Sequence, residues 1–336
     1  MLITKPSYYD AFRCIAGDCP DSCCKEWDVQ VDEASAALYR SLPGPLGEDL
    51  RKYMHLEDGE TVMTITEGRC PMWRSDGLCR IQAELGEEAL CHTCREFPRL
   101  RHDYGDFLEL MLELSCPEAA RLILSAPLAD PVTQEVPGGE EGDYDEDAML
   151  VLKTTRQHAL ALLSDENRDI PTTLAAFLLY GYQAQNQLDG GEEETFDPEE
   201  ALEAVWEFLK PGSLEEILEV YRRLEILTPQ WEARLAAPES VRWQVGVRPL
   251  ARYFVERYWL QAVSDYDLYS RVKFITVSCL VISALGEDFL QTAQLYSKEI
   301  ENSTENLEAL QDAAYGHPAL TDDKLLGLLL AGEQAG

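Results

Sequence analysis

The sequence predicts a mostly α protein: a small α+β, cysteine-rich, metal-binding lobe at the N-terminal end and a larger all-helical lobe after it. Three observations carry this. Nine of the ten cysteines fall within the first 116 residues. The segments with strand-like patterning fall there too. From Ala148 onward the apolar residues recur at helical spacing almost throughout. At 336 residues the chain is long enough for two lobes and a sizeable core. The expected divisions are residues 1–126 for the cysteine-rich lobe, 127–147 for an acidic Pro/Gly linker or loop, and 148–336 for the helical domain.

In chain order, Asp32-Glu33 followed by Ala34, Ala37, Leu38 and Leu42 reads as a short helix, closed by Pro43-Gly44-Pro45. Thr61–Thr66 has strand composition. Leu108–Leu114 alternates leucine with Glu109, Met111 and Glu113, which predicts a half-buried strand with the leucines inward. Ser115-Cys116-Pro117-Glu118 then starts a helix: Ser115 and Glu118 have capping-box spacing and Pro117 suits a first turn. That puts Cys116 at a helix N-terminus, where the dipole favours a thiolate. Pro127, Pro131, Pro137-Gly138-Gly139 and Glu140-Glu141 punctuate the chain, and Asp189–Glu194 is a second solvated break. Between and beyond them, Leu152, Leu160 and Leu163 mark one helix and Leu174, Phe177, Leu178 and Tyr182 another. Asp197-Pro198 and Ser213-Leu214-Glu215-Glu216 open two more. Further helices are expected at Tyr253–Val263, Leu268–Leu285, Phe289–Ile300 and Leu307–Ala314. No helical repeat of roughly 30–45 residues recurs.

The formal charge is −34, of which −10 falls in residues 1–125 and −24 in residues 126–336. No basic stripe exists, and such a surface repels phosphate, so nucleic acid is not an expected partner. A lysine-bearing partner suits the field. The longest apolar stretch, Phe274–Leu285, contains Ser278 and Ser283 and is too short for a bilayer span of roughly 20 residues, so no membrane partner is expected. The first ten residues lack the apolar region of a secretory signal, so the expected compartment is the cytoplasm, where thiols stay reduced. Neither Gly138-Gly139 nor Gly190-Gly191 sits between a strand and a helix, so neither reads as a phosphate cradle.

The cysteine spacing is Cys14-x4-Cys19-x3-Cys23-Cys24, then Cys70-x8-Cys79, Cys91-x2-Cys94 and Cys116-Pro117. Thiols grouped this way act together. An odd number in a reducing compartment favours metal ligation over disulfides. Thiolates suit zinc or iron–sulfur clusters, and the spacing matches no standard pattern of either, so it leaves both open. Cys19, Cys23, Cys24, Cys70, Cys79, Cys91, Cys94 and Cys116 are the candidate metal ligands, with Cys14 a ninth able to replace any of them. One [4Fe–4S] cluster takes at most four. Adjacent Cys23 and Cys24 would point apart if extended, so either two metal sites exist or half of these thiols are structural. Arg95 and Arg99, four apart, would share a helix face and hold the carboxylate of a cofactor by paired hydrogen bonds. His92 is expected to support the site by hydrogen bonding, with Trp27, Trp73 and Phe97 packed over it. Tyr8, Tyr9 and Cys279 read as core residues.

These motifs together resemble the flagellin lysine N-methylase family of bacteria. The resemblance rests on Cys14–Cys24, Cys70-Pro71, Gly77-Leu78-Cys79-Arg80-Ile81, Cys91–Arg99 and Leu114–Arg121, and covers roughly residues 8–125. It implies transfer of a methyl group from S-adenosylmethionine to lysine side chains of flagellin or another lysine-bearing protein, and it implies a [4Fe–4S] cluster. A cluster with one iron free of cysteine offers a seat for the amino and carboxylate groups of S-adenosylmethionine, in keeping with the missing glycine-rich loop. A looser form of the same cysteine pattern occurs in proteins that chelate zinc or iron. The alternative is therefore a non-catalytic zinc- or iron-binding interaction module. A polar transfer also needs a carboxylate or tyrosine to deprotonate the lysine, which the sequence does not single out.

Overall fold

The computed structural model describes residues 1–25, 29–57 and 59–331. The chain opens with β1 (Leu2–Lys5), passes through the first cysteine segment and re-enters regular structure at β2 (Val29–Gln30). Asp32 caps α1 (Glu33–Ser41), its side chain accepting from the Ser35 amide at 2.9 Å and satisfying a donor that every helix start leaves open. Gly44-Pro45, expected only to close that helix, opens a second one, α2 (Gly44–Tyr53), with Pro45 in the first turn where its missing N–H costs nothing. The hairpin of β3 (Met54–Glu57) and β4 (Glu60–Met63) follows, and β2 pairs on the other side of β4 to complete a three-stranded sheet, β2-β4-β3. The strand expected at Thr61–Thr66 is β4, shifted toward the N-terminus.

Two short helices, α3 (Arg80–Leu85) and α4 (His92–Glu96), lead to the hairpin of β5 (Arg99–Asp103) and β6 (Phe107–Leu112), then α5 (Pro117–Leu124) and β7 (Val132–Glu135). The second sheet has the order β5-β6-β1-β7, with β1 parallel to β6 and antiparallel to β7. Strand β7, fully exposed, lies inside the acidic Pro/Gly segment.

From Glu146 to Leu329 the described elements are all helical: α6 (Glu146–Ser164), α7 (Ile170–Leu188), α8 (Pro198–Val205), α9 (Leu214–Arg222), α10 (Pro229–Ala236), α11 (Val247–Tyr258), α12 (Leu268–Ala284), α13 (Phe289–Tyr296), α14 (Thr304–Gly316) and α15 (Asp322–Leu329). Side-chain caps from Asp145, Asp169, Asp197, Ser213 and Asp267 begin α6, α7, α8, α9 and α12. Helix α12 is buried on nearly every side, as expected of a helix apolar all round. Gly181 lets α7 approach it, since a Cβ there would lie 2.4 Å from Val272. Tyr182, one of the residues that marked this helix in the sequence, is 66% exposed and rests edge-on against Tyr269. Among the described residues no helix is long and apolar enough to cross a membrane.

Two hydrophobic cores result. The smaller is drawn from residues between Val29 and Cys91, with Cys70, Cys79 and Cys94 packed against it. The larger takes Phe12, β6, Leu114, Cys116, α5 and the helices that follow. Strand β6 joins this large core and is covered on both faces rather than half-buried. Its polar face is buried because Arg156 of α6 holds Glu109 through two hydrogen bonds of 2.9 and 2.6 Å, which satisfies a charge that would otherwise forbid burial.

Nearby Glu256 has no such fork. Burial pushes its carboxyl up to about 7, although Arg252 and Arg156 pull the other way. A carboxyl whose folded pKa is raised binds its proton more tightly when folded. Its contribution to stability is therefore greatest in acid and is lost as pH rises from the ordinary carboxylate range through about 7. Glu256→Gln is expected to flatten this fall, which is on the order of 2–3 kcal/mol. Urea unfolding at pH 5 and pH 8 checks it, and an unchanged pH slope in the variant refutes it.

Candidate metal centre

A cavity of about 830 Å³ lies at the seam of the two cores, and all nine N-terminal cysteines line it. The small core contributes Val29, Val31, Tyr39, Met63, Met72, Ile81 and Leu90 to its wall, and the large core contributes Phe12 and Cys116. Leu227, Thr228, Lys298 and Asn302 complete it from the helical region. All ten cysteines are free thiols. Cys279, fully buried in α12, lies outside the cavity, as a core residue should.

Local backbone explains how the thiols are presented. Cys79, Cys91 and Cys116 are the N-cap residues of α3, α4 and α5, where unpaired amides face the sulfur. Ser115 is thus not the cap of α5; its hydroxyl donates to Glu113 Oε1 at 2.9 Å instead. The Cys70 amide donates to the Cys24 carbonyl at 2.7 Å, tying the first cysteine segment to the second. Cys19 Sγ donates to the Asp21 carbonyl at 3.3 Å. Cys23 and Cys24 sit in a turn, not an extended strand. Their thiols therefore meet and hydrogen-bond instead of pointing apart. Cys91 and Cys94 do the same across one turn of α4.

Those two pairs set the electrostatics. The hydrogen bond from Cys23 draws the Cys24 thiol down, and that from Cys94 draws Cys91 down. Their donor partners are pushed upward for the same reason. Burial raises Cys19 and Cys79, and raises Cys70 to about 12. Cys116 also moves up, to about 11: burial outweighs the Ala119 and Glu118 amides, so the helix start does not deliver the thiolate expected there. Cys24 and Cys91 are accordingly the readier donors of their pairs, and the other thiols would release protons on binding a metal. Among the described residues no three His, Cys, Asp or Glu side chains are already gathered tightly enough to hold an ion. A single ion would have to draw the thiols together.

Around the thiols the expectations divide. Arg95 and Arg99 both line the cavity but share no helix face. Helix α4 ends at Glu96 because Pro98 disfavours helical backbone at Phe97, and Arg99 begins β5. Arg95 makes a loose ion pair with Glu96 at 3.6 Å, and Arg99 stacks its guanidinium 5.3 Å from the centre of the Phe12 ring. His92 is exposed and off the cavity wall; its amide donates to the Asp32 carboxylate at 2.8 Å. Phe97 lines the cavity, Trp73 instead lies under Arg69, and Trp27 is outside the described residues. Tyr8 and Tyr9 pack against the large core.

Five polar residues in or beside the site carried no clear sequence signal. After α13 the backbone forms a π-helical turn, Ser297–Glu301, a feature frequent at functional sites. From it Lys298 reaches Asp21 in the cysteine segment at 2.9 Å, while Lys25 holds the other Asp21 oxygen at 2.8 Å. Gln294 donates to Asp21 at 2.8 Å and to the Ser115 carbonyl at 2.7 Å. Burial alone would raise the Asp21 carboxyl, but Lys25, Lys298 and Gln294 together hold it below its ordinary value. Glu113, also on the cavity wall, moves the other way: burial raises it despite Arg257 and the Ser115 hydroxyl.

No family model matches the chain and no solved structure matches it. Curated proteins do. The chain is 34% identical over 134 residues to the flagellar biosynthetic protein FliU of Salmonella muenchen, a match covering 38% of this chain and 79% of that protein. It is 34% identical over 134 residues to the lysine-N-methylases of Salmonella typhimurium and Salmonella choleraesuis. The matched part spans only 33% of the length of those two proteins. With a cysteine-lined cavity where the motifs placed the chemistry and FliU matched over most of its length, this chain belongs to the flagellin lysine N-methylase family.

Proposed function

We propose that this protein transfers a methyl group from S-adenosylmethionine to lysine side chains of flagellin or a similar protein, with an iron–sulfur cluster held by the cavity thiols. The observation that carries the reading is the convergence of nine cysteines on one cavity of about 830 Å³, within the size range of small-molecule sites. The donor set fits: soft thiols, two of them drawn down by a hydrogen-bonding partner thiol, surround a space bordered by cationic and carboxylate groups. When bound, a [4Fe–4S] cluster with one iron free of cysteine supplies a coordination position for the amino and carboxylate groups of S-adenosylmethionine. Arg95 and Arg99 are the cavity-lining guanidinium groups available to orient a carboxylate. Phe12, Phe97 and Leu227 give the wall an apolar part that limits water.

The substrate lysine arrives as an ammonium and must lose a proton before its nitrogen attacks a methyl group. Glu113 suits that task. The residue lines the cavity, Ser115 donates to its carboxylate at 2.9 Å, and burial raises its pKa. Asp21 is a poorer acceptor, because two lysines already hold its charge. The acidic surface, net −24 over residues 126–336, favours approach of a lysine-presenting protein.

Anaerobically reconstituted protein incubated with flagellin and methyl-deuterated S-adenosylmethionine should place labelled methyl groups on flagellin lysines, read by peptide mass spectrometry. Glu113→Gln should reduce the rate by roughly 10²–10⁴-fold, the range of general-base contributions. Unlabelled lysines under these conditions would favour a binding module over an enzyme.

A further inference from the structure

Strand β5 lies at one edge of its sheet and pairs only with β6. In an antiparallel pair, alternate residues turn both backbone groups toward the partner strand. The hairpin is bonded at both ends: the Glu113 amide donates to the Pro98 carbonyl at 2.7 Å, and the Tyr104 amide to the Phe107 carbonyl at 3.0 Å. The register between them, Arg99↔Leu112 to Asp103↔Leu108, is unbroken, so Leu100 and His102 are the residues bonded to β6. Arg99, Arg101 and Asp103 therefore turn their N–H and C=O groups outward, and among the described residues these groups have no partner. Arg101 and Asp103 are exposed. Arg99 and Arg101 share one face of the strand. The Arg99 guanidinium stacks on Phe12, whereas Arg101 has no carboxylate partner among the described residues, in a chain with 62 acidic side chains against 28 basic ones. The strand also begins at the thiol cavity, since Phe97, Pro98 and Arg99 line its wall.

We propose that the free edge of β5 is the docking strand for the protein substrate: an extended segment adds to the sheet there, with an acidic residue opposite Arg101 and its lysine carried past Arg99 to the cavity. The assignment of the occupant rests on reading the cavity as a lysine-methylating site. An unpaired edge is a ready template for another strand, and strand addition draws its affinity from main-chain hydrogen bonds, leaving side chains to select the sequence. Arg101 is the selecting side chain here. An opposite charge directly across neighbouring strands is favourable and a like charge is not, so the segment carries Asp or Glu at that place. At about 3.3 Å per residue, the step from Arg101 to Arg99 brings the chain to the cavity wall. The lysine accordingly lies about two to four positions from the acidic residue. The recognised class is thus an extended, acidic-flanked lysine segment rather than any exposed lysine.

The test is peptide binding to the full chain, read by fluorescence anisotropy and by amide hydrogen exchange resolved along β5. The probes are two short synthetic peptides of alternating Thr and Val with one central lysine. They differ only in carrying Glu or Gln at the positions beside the lysine that share its face. The Glu peptide should bind about threefold more tightly than the Gln peptide and should protect the Arg99, Arg101 and Asp103 amides. Leu100 and His102, already bonded to β6, should change little. Arg101→Ala should erase the preference between the peptides. Arg101→Pro should weaken both by about tenfold, because it removes an outward N–H that a docked strand needs and β6 does not use. If Arg101→Pro fails to fold, Arg101→Ala and the exchange pattern decide. Failure of both peptides to bind overturns the proposal, as does binding that leaves the three outward amides unprotected. Protection that appears without peptide and grows with protein concentration would assign the edge to a second copy of this chain and also overturn it. Peptide held at β5 but never methylated would overturn the enzyme reading and leave the docking strand standing, whereas flagellin methylated at an unchanged rate by Arg101→Pro would overturn the docking strand alone.

Discussion

Arg257→Leu is expected to cost about 3–5 kcal/mol of folding stability, the penalty for leaving a buried charge without its partner. Glu301, the partner, has no exposed side-chain surface and lies 3.3 Å from Arg257. Tyr253 donates to both Glu301 oxygens at 3.2 Å and Tyr258 to one at 2.8 Å. These hydroxyls hold the carboxylate in place but cannot neutralise it. Tyr253 also accepts from the Leu114 amide at 3.3 Å, two residues before Cys116. Glu301 itself ends the π-helical turn that carries Lys298. The network therefore braces the helical side of the cavity as well as the core. Denaturant unfolding of Arg257→Leu, Glu301→Gln and the double variant measures it. The double variant should recover part of the loss, because it removes the stranded charge. A loss below about 1 kcal/mol in Arg257→Leu would mean the carboxylate is accommodated without its guanidinium.

Removing metal is expected to open the small core while leaving the large one closed. The small core is slight, a dozen or so buried side chains between Val29 and Cys91, and Cys70, Cys79 and Cys94 close one side of it. Thiols pushed up by burial, such as Cys70 at about 12, become metal donors only at the cost of a proton, and bound metal returns that cost as folding free energy. For structural thiolate sites this amounts to about 10 kcal/mol. Chelation should therefore raise amide exchange across α1, α2 and β2–β4 to near the unfolded rate, with α7, α11 and α12 still protected. Cys279→Ser should leave metal content unchanged, since that thiol is buried in α12 away from the cavity. Uniform protection in metal-free and metal-loaded protein would assign the cysteines a packing role only.

Much of the fold was legible because its signals are local. Acidic and Ser caps before apolar spacing located α1, α8 and α9, and the leucine alternation located β6. What the sequence could not display was environment. The alternation at β6 promised one wet face, and only the distant Arg156 shows why Glu109 is buried. Gly44-Pro45 read as a stop because the same residues serve helix ends and helix starts. At the site, cysteine spacing named all nine thiols that line the cavity. The Arg95–Arg99 spacing misled because a single proline between them changes helix to strand. Glu113 looked like the polar half of a strand pattern, and Lys298 had no pattern at all, since its position depends on a π-helical turn.

The proposed methyl transfer requires the thiol cavity, loaded with metal, to be where S-adenosylmethionine binds. Isothermal titration of S-adenosylmethionine into metal-loaded and chelator-stripped protein under anaerobic conditions tests this directly, with exchange protection of α7, α11 and α12 as the check that the stripped protein stays folded. Binding to the loaded form that weakens at least tenfold on stripping is the predicted result. Equal affinity in both forms would contradict it and place the cofactor in a pocket independent of the cysteines.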